Sequence, residues 1–347
     1  MQQQSPTTPV IAEPNPTHPA YVVGVDIGGT NLRLALADLS GTILARWSAS
    51  TVDIRNAAKV VILIAQGVDA LLAEVHAGRT ALRAIAAAVP GITDPTRGLV
   101  IATSYLLGWL DVPLRALLEA ELRIPAAIDN DVNLAALGES RTGIARTAAD
   151  FVFLAIGTGL GAGIVLNHRL FRGHAFTAGE IGYLLVPGVS EAPIDRGQPG
   201  ALEQIVGGEG IKAQWRRLWN STASPLPFSA TPTEIFDHAL EGNPLAQQIL
   251  ETSARTLSYA IYNIALILNC PLFVFGGTVG LHPALIEATQ KLLAERRARV
   301  QPRLLPSTLG SDAQLIGAIR LALDTAATHT LSVNRSIPTT NKSSASI

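Results

Sequence analysis

The chain carries the stretch Gly24-Val25-Asp26-Ile27-Gly28-Gly29-Thr30-Asn31, the first of three in which a short apolar run leads into glycines. The second is Ala155-Ile156-Gly157-Thr158-Gly159-Leu160-Gly161-Ala162-Gly163, and the third is Phe273-Val274-Phe275-Gly276-Gly277-Thr278. Glycine has no side chain, so a turn of this kind lets the backbone approach a phosphate group or a base. Three such turns predict a nucleotide held between two lobes.

Length and composition limit the kind of protein to which these turns belong. The chain has 347 residues, 48% of them hydrophobic, which is enough for two domains with cores. Its net charge is −1 at pH 7, which favours neither nucleic acid nor an anionic membrane as a partner. The single cysteine, Cys270, excludes an intrachain disulfide and a multi-cysteine zinc site. With no secretory signal and no apolar run of membrane-spanning length, we expect a cytoplasmic protein that binds a small ligand.

Strands alternate with helices along the chain, which predicts an α/β fold. A strand, a glycine turn and a second strand begin at Tyr21 and again at Phe151, so we expect two lobes with duplicated mixed sheets. Later helical patterns include one over Ala201 to Leu218. The predicted parts are a disordered tail over 1–20, a small lobe over 21–128 completed by a helix over 312–324, a large lobe over 129–311, and a second disordered tail over 325–347.

The first glycine turn has the residues of a phosphate site. The amides of Gly28 and Gly29, with Thr30 and Asn31 beside them, can hold terminal phosphate oxygens while Asp26 faces a hydrated Mg²⁺. The alternative is a hairpin whose glycines only satisfy turn geometry.

The second turn repeats the arrangement from the other lobe. Gly157 and Gly159 flank Thr158, whose hydroxyl is available to a phosphate. The register does not match the dinucleotide fingerprint, and the turn lacks the lysine of a P-loop.

Asn130 and Asp131 follow the short strand Ala126-Ala127-Ile128, at a strand end where ligands usually lie in α/β domains. Phosphoryl transfer to a hydroxyl needs a group that accepts the hydroxyl proton, and Asp131 is the candidate general base. Alternatively, Asp129 or Asp131 caps a helix over Val132 to Glu139.

These motifs resemble, in sequence and in order, those of the ROK family of sugar kinases and related repressors, which have the two-lobed actin/hexokinase/Hsp70-type (ribonuclease H-like) fold. The resemblance spans about Tyr21 to Leu323 and includes Ile128-Asp129-Asn130-Asp131-Val132-Asn133 and Ala178-Gly179-Glu180-Ile181-Gly182. It implies Mg²⁺ with ATP, Asp131 as the base, and sugar hydroxyls bound by Asn130, Glu180 and Glu203. It also implies that Gly276 and Gly277 lie under the adenine and ribose.

Each of these roles has a structural alternative. Glu180 can be a solvated loop residue, and Glu203 can be an acidic residue that favours a helix N-terminus. The Gly276-Gly277 pair can be an ordinary strand-to-helix turn. Trp109 can stack on a sugar or anchor packing under a helix.

Two departures from the family pattern affect the sugar side of the site. Tyr183 stands where most members have a histidine, and the cysteine-rich zinc loop is replaced by Pro187 to Gly200, so no structural zinc is expected. Tyr105 stands where an asparagine helps to bind sugar. Both tyrosines remain candidate sugar contacts.

The sequence therefore predicts an ATP-dependent hexose kinase that converts glucose to glucose 6-phosphate. Mannose, fructose, N-acetylmannosamine and N-acetylglucosamine are alternative substrates, and polyphosphate is an alternative donor. The repressor branch needs a helix-turn-helix of about 50–60 residues before the first strand, and only twenty residues precede Tyr21. A catalytically weak sugar-sensing regulator is the third possibility. We expect a homodimer or higher homo-oligomer.

Overall fold

The computed structural model describes residues 19–52, 54, 56–103, 106, 108–194, 198–219, 226–296 and 299–335. In chain order its strands are β1 (Tyr21–Ile27), β2 (Asn31–Asp38), β3 (Ile43–Ser50), β4 (Leu82–Val89), β5 (Ile92–Asp94), β6 (Leu99–Ala102), β7 (Leu110–Val112), β8 (Ala126–Asn130), β9 (Phe151–Ile156), β10 (Leu160–Leu166), β11 (Arg169–Phe171), β12 (Leu272–Gly276) and β13 (Arg303–Pro306). Its α-helices are α1 (Ala57–Glu74), α2 (Leu114–Leu122), α3 (Asp131–Arg141), α4 (Glu203–Val206), α5 (Gly208–Leu218), α6 (Pro232–Leu240), α7 (Pro244–Leu268), α8 (Pro283–Glu295) and α9 (Ala313–Arg335).

Two five-stranded sheets have the same topology. One has the order β3-β2-β1-β4-β8 and the other the order β11-β10-β9-β12-β13. In each sheet the first three strands pair antiparallel and the last two join in parallel. The expected α/β fold with duplicated mixed sheets is confirmed, and a small antiparallel sheet of β5, β6 and β7 follows the first crossover strand.

The first sheet is covered on both faces, which explains why β1 and β4 are apolar almost throughout. Helices α1 and α2 pack on one face, where Trp109 is also buried, as the packing alternative requires. Helix α9 covers the other face through Leu315, Ile319 and Ala322.

The second sheet has its main core against α4 to α8 and a smaller one against α3. Helices α3 and α9 also pack against each other, at a point where both have glycine. A Cβ on Gly138 would lie 2.6 Å from the Ala313 carbonyl oxygen, and one on Gly317 would lie 1.7 Å from that of Leu134. The two helices that join the sheets can cross this closely only because these side chains are missing.

Two boundaries differ from the sequence-based expectation. The pattern over Ala201 to Leu218 forms two helices, because Gly207 has extended backbone and lets the next amide, of Gly208, bond to Gly157. The segment expected to be a tail from Thr325 is helical as far as Arg335. Its threonine hydroxyls donate to carbonyl oxygens one turn earlier, as Thr325 Oγ1 does to Leu321 at 2.7 Å, which keeps polar residues inside a helix.

Candidate active site

The first glycine turn joins β1 to β2 and is closed by its own backbone. The Gly28 amide donates to the Asn31 carbonyl oxygen at 2.8 Å, and the Thr51 hydroxyl donates to the Gly28 carbonyl oxygen at 2.9 Å. Gly29 and Thr30 are exposed, and their amides have no protein acceptor among the described residues. Two neighbouring amides without a protein acceptor are the donors that a phosphate oxygen needs.

Asp26, at the end of β1, is held by an arginine that sequence reasoning missed. Arg33 donates from Nε and Nη2 to Asp26 Oδ2 at 2.9 and 2.6 Å, and Nη2 also donates to the Ser311 carbonyl oxygen at 2.7 Å. Burial raises the pKa of Asp26, Arg33 opposes that shift, and the charge of Asp312 adds to it. A signal was available, because a turn over residues 28–30 places Asp26 directly opposite Arg33 in the hairpin.

Asp26 Oδ1 accepts no hydrogen bond from the described residues, so one oxygen of the carboxylate is open. An open carboxylate oxygen beside unused turn amides fits a hydrated Mg²⁺ with a phosphate, because Mg²⁺ prefers oxygen ligands and keeps several waters. Among the described residues no group of three or more His, Cys, Asp and Glu could enclose a metal ion. The donor set therefore fits an ion shared with phosphate.

The second and third glycine turns lie against each other. The amides of Val279 and Gly280 donate to the Ile156 carbonyl oxygen at 3.0 and 2.9 Å. Gly277 has φ of 80°, and a Cβ there would lie 2.4 Å from the same oxygen. A Cβ on Gly157 would meet nothing within 4 Å, so that turn faces open space.

The N-terminus of α5 supports the second turn. The Gly208 amide donates to the Gly157 carbonyl oxygen at 2.8 Å, and the Glu209 amide donates to that of Thr158 at 3.1 Å. The positive end of a helix dipole therefore lies behind a glycine turn with open space in front, an arrangement that favours an anion.

Asn130 and Asp131 lie where β8 ends and α3 begins. Asn130 Oδ1 accepts from the amides of Val132 and Asn133 at 2.9 and 3.0 Å, so Asn130 is the N-cap. The expectation that Asp129 or Asp131 caps this helix was wrong, because the helix starts at Asp131, one residue earlier than expected. The Asn130 side chain also donates from Nδ2 to the Gly91 carbonyl oxygen at 2.8 Å, which leaves one N–H of Nδ2 for another partner.

The pKa of the Asp131 carboxyl group is strongly raised. Burial, and then the negative charges of Asp26 and Glu180, raise its pKa to about 7, while the Val132 amide opposes the shift. A carboxylate with a pKa near neutrality can accept a proton at physiological pH and release it afterwards.

Glu180 and Glu203 form a second acidic pair. Burial, followed by the charge of Glu203, raises the pKa of Glu180, and burial raises that of Glu203 against a bond from the Leu160 amide to Glu203 Oε2 at 2.8 Å. Glu203 is also the first residue of α4, so its helix-acid alternative describes its position correctly. The charges of Asp26 and Glu180 raise the pKa of Asp131, and the charge of Glu203 raises that of Glu180. The predicted carboxylates therefore form one electrostatic group.

Tyr183 lies beside this pair and is bonded to the loop that follows. Its hydroxyl donates to the Gln198 carbonyl oxygen at 3.0 Å, while about half of the residue, 47%, is exposed. Burial, then Glu180 and Glu203, raise the pKa of Tyr183, so the hydroxyl stays protonated and can donate. Tyr105, the other predicted sugar contact, lies outside the described residues.

An ion pair next to Asp131, between a buried carboxylate and a partly exposed guanidinium, was not predicted from the sequence. Arg172 donates from Nε and Nη2 to Asp129 Oδ2 at 2.9 and 2.5 Å, and Asp129 is only 1% exposed. Asp129 lies in the motif around Asn130 and Asp131, but Arg172 belongs to no quoted motif and 43 positions separate the two, so only the tertiary fold brings them together.

No helix in the described part of the chain has the length and hydropathy needed to cross a bilayer.

Comparison with known proteins gives three consistent results. A family model described as the ROK family matches residues 22–325. A glucokinase from Halalkalibacterium halodurans is 31% identical over 86% of this chain and 93% of its own length, and an N-acetylmannosamine kinase from Escherichia coli is 32% identical over 87% and 98%. The structure is similar to that of a ROK family glucokinase from Streptomyces griseus in complex with glucose and AMPPNP, with a TM-score of 0.72, 25% identity, and coverage of 88% of this chain and 100% of that one.

Proposed function

The chain belongs to the ROK family as an ATP-dependent sugar kinase, and from that premise we propose that it phosphorylates a hexose at its 6-hydroxyl, with glucose as the first candidate. The observation that carries the proposal is the carboxyl group of Asp131, whose pKa is raised to about 7 at the point where a strand of one sheet meets helix α3.

Asp131 is the general base of the proposed reaction. Its carboxylate accepts the proton of the sugar 6-hydroxyl as that oxygen attacks the γ-phosphorus of ATP, and the bond from the γ-phosphorus to the bridging oxygen breaks to release ADP. A positioned base contributes about 10²–10⁴-fold. In-line positioning and charge stabilisation supply the remainder.

The glycine turns position the triphosphate. The amides of Gly29 and Thr30 contact the terminal phosphates from the first lobe, in a turn that Gly28 and Asn31 close. Gly157, Thr158 and Gly159 contact the phosphates from the second lobe, with the dipole of α5 behind them. Gly276 and Gly277 lie under the nucleoside. Mg²⁺, when bound, neutralises charge on the phosphates, and Asp26 would hold it through the open Oδ1.

The acidic pair and Asn130 bind the sugar in this proposal. Glu180 and Glu203 accept hydrogen bonds from sugar hydroxyls, and the unused N–H of Asn130 donates one. Tyr183 lies beside the acidic pair on the sugar side of the site, and its hydroxyl donates to the Gln198 carbonyl oxygen of the following loop. Tyr105 is proposed as a further contact on the resemblance alone.

The identity of the sugar has one specific competitor. The relatives include an N-acetylmannosamine kinase as similar in sequence as the glucokinase, so N-acetylmannosamine is the second candidate substrate. Mannose, fructose and N-acetylglucosamine complete the panel, with polyphosphate as an alternative donor. A sugar-sensing role without turnover is disfavoured because Asp131 is present. We further propose a cytoplasmic homo-oligomer without structural zinc.

A coupled ADP-release assay with Mg·ATP against this panel tests the proposal, with Asp131→Ala and Asp131→Asn run in parallel. Turnover should appear on one sugar and fall by about 10²–10⁴-fold in both variants, while sugar binding measured by calorimetry persists. Turnover close to the parent's in either variant would remove Asp131 as the base. No turnover on any sugar with any donor, together with intact sugar binding, would favour the sensing role.

A further inference from the structure

The ion pair between Arg172 and Asp129 joins two parts of the site that come from different sheets. Asp129 belongs to β8 of the first sheet, and Arg172 directly follows β11, the edge strand of the second. Both guanidinium bonds go to Asp129 Oδ2, while Oδ1 accepts from the Asn130 amide at 2.8 Å and from Asn133 Nδ2 at 3.3 Å. The carboxylate is thus bonded at both oxygens and sealed from water.

Each partner lies next to a residue of the proposed chemistry. Asp129 comes one residue before the cap Asn130 and two before Asp131. Arg172 begins the loop 172–180, which ends at Glu180. The loop that ends at Glu180 is therefore tied, at its first residue, to strand β8, which leads into Asp131.

The loop itself is built to hold one shape. The Ala178 amide donates to the Arg172 carbonyl oxygen at 3.2 Å, which closes the loop on its first residue. Gly173, Phe176 and Gly179 all have positive φ, and a Cβ on Gly179 would lie 1.9 Å from the Ala162 carbonyl oxygen. A displacement of Arg172 would therefore pass along a tight loop to Glu180.

A role in stability alone is a poor explanation of this pair. Burying the Asp129 carboxylate costs about as much free energy as its attraction to the partly exposed Arg172 returns, so well-packed apolar residues often stabilise such a site equally well. What the fork of an arginine adds is a defined geometry between two backbones. That geometry matters where a substrate must meet two side chains at once.

We propose that Arg172 is a positioning residue: through Asp129 it sets the distance between the sugar-binding carboxylate Glu180 and the base Asp131. The inference rests on the proposed function for the roles of those two residues. The proposed tether between loop and strand does not depend on it.

A set of charge-removing variants separates positioning from stability. Arg172→Met leaves Asp129 buried and unpaired, so it lowers both the Tm and the sugar affinity. The double variant Arg172→Met/Asp129→Asn removes both charges, so its Tm returns toward that of the parent, but the tether is still missing. Its KM for the sugar with the highest kcat/KM should rise by about 10- to 100-fold, with the KM for ATP unchanged.

Two further variants serve as comparisons. Arg172→Lys keeps the charge and loses the fork, so its sugar KM should lie between those of the parent and Arg172→Met. Arg79→Met removes another arginine–aspartate pair, in which Arg79 Nε and Nη2 donate to the two different oxygens of Asp69 at 2.7 Å each, far from the site in sequence and outside the proposed machinery. It should leave both KM values unchanged.

Hydrogen exchange of the loop supplies a readout that needs no turnover. Amides of residues 173–180 should exchange faster in the double variant than in the parent, although the two have similar Tm values. Parent-like exchange in this loop overturns the proposal, and so does a parent-like sugar KM in the double variant. If the parent phosphorylates no sugar, the proposed function fails separately, and the exchange result still decides whether the pair positions the loop.

Discussion

Arg33 donates from two nitrogens to one and the same carboxylate oxygen of Asp26, at 2.9 and 2.6 Å. The arrangement leaves the other oxygen of Asp26 open and fixes the direction in which it points. Arg33 also lowers the pKa of Asp26 against the larger effect of burial, and it thereby favours the ionised form of the carboxyl group. Arg33, which has no proposed contact with ATP, Mg²⁺ or the sugar, thereby controls the proposed contact between Asp26 and Mg²⁺.

Arg33→Met should therefore weaken the response to magnesium. Without the guanidinium, the pKa of Asp26 rises and more of the carboxyl is protonated near pH 7. The Mg²⁺ concentration for half-maximal activity should increase by about tenfold at pH 7, and the defect should shrink as the pH is raised, because the ionised fraction of Asp26 then increases.

Arg79→Met is the matched control for that experiment. Arg79 donates from Nε and Nη2 to the Asp69 carboxylate at 2.7 Å each and does not contact Asp26 or Asp312. Its magnesium response should equal that of the parent chain. If Arg33→Met also responds as the parent does, Asp26 is not tuned by Arg33.

The rate should depend on pH through Asp131. A base must be unprotonated to accept the hydroxyl proton, and burial with the charges of Asp26 and Glu180 raises the pKa of Asp131 to about 7. Activity should therefore fall below that pH, by about tenfold for each further unit. Glu180→Gln removes one of the charges, so the midpoint of its kcat/KM profile should move to lower pH, whatever its absolute rate. A midpoint near 4 in the parent chain would show that Asp131 is not perturbed.

The same pKa predicts that the base costs the protein stability. Asp131 binds its proton more tightly in the folded state, with a pKa of about 7 against the ordinary value of 3.8, so its contribution favours folding below pH 3.8 and is lost as pH rises through 7. Asp131→Asn cannot ionise and can still accept the Val132 amide. In urea denaturation the variant should match the parent at pH 4 and exceed it at pH 8, by at most about 4 kcal/mol.

Asp69→Asn provides a control of opposite sign. The Arg79 guanidinium lowers the pKa of Asp69, so that carboxylate stabilises the fold above its unfolded pKa and loses this effect in acid. Asp69→Asn should therefore be less stable than the parent chain at pH 8. A gain of stability in both variants would indicate a general charge effect and not the environment of Asp131.

The parts of the site that could be predicted from the sequence are the residues that lie within short sequence motifs. The glycine turns and Asp131 each lie in a short motif at a strand end, Glu180 lies in a short glycine-flanked motif, and the pKa shifts couple the predicted carboxylates in one electrostatic group. Arg33 was missed although the hairpin register gives it. Arg172 could not be found, because its contact with Asp129 depends on how the second sheet meets the first.

Other details depend on the exact start of a helix or on the path of the backbone. Helix α3 begins one residue earlier than expected, so Asn130 is its N-cap, although Asp131 Oδ1 also accepts from the Val132 amide. The Tyr183 hydroxyl bonds to the Gln198 carbonyl oxygen because of the path of an irregular loop, and no periodicity in the sequence encodes that path.

Asn130 combines a structural and a proposed ligand role, and two substitutions separate them. Its Oδ1 caps α3 and its Nδ2 bonds to Gly91, which leaves one N–H for the sugar. Asn130→Ala loses the cap and the donor. Asn130→Ser keeps a good cap residue and loses the amide donor, without adding charge beside Asp131.

Stability should therefore distinguish the two variants while sugar binding does not. Asn130→Ala should lower the free energy of unfolding by about 2 kcal/mol, from the cap and the Gly91 bond together, and Asn130→Ser by about 1 kcal/mol, from the Gly91 bond alone. Both should raise the sugar KM by about tenfold, since both lack the donor, and urea denaturation with steady-state kinetics measures the two effects separately. A normal sugar KM in Asn130→Ser would reduce Asn130 to the cap of α3 and leave the sugar to the acidic pair.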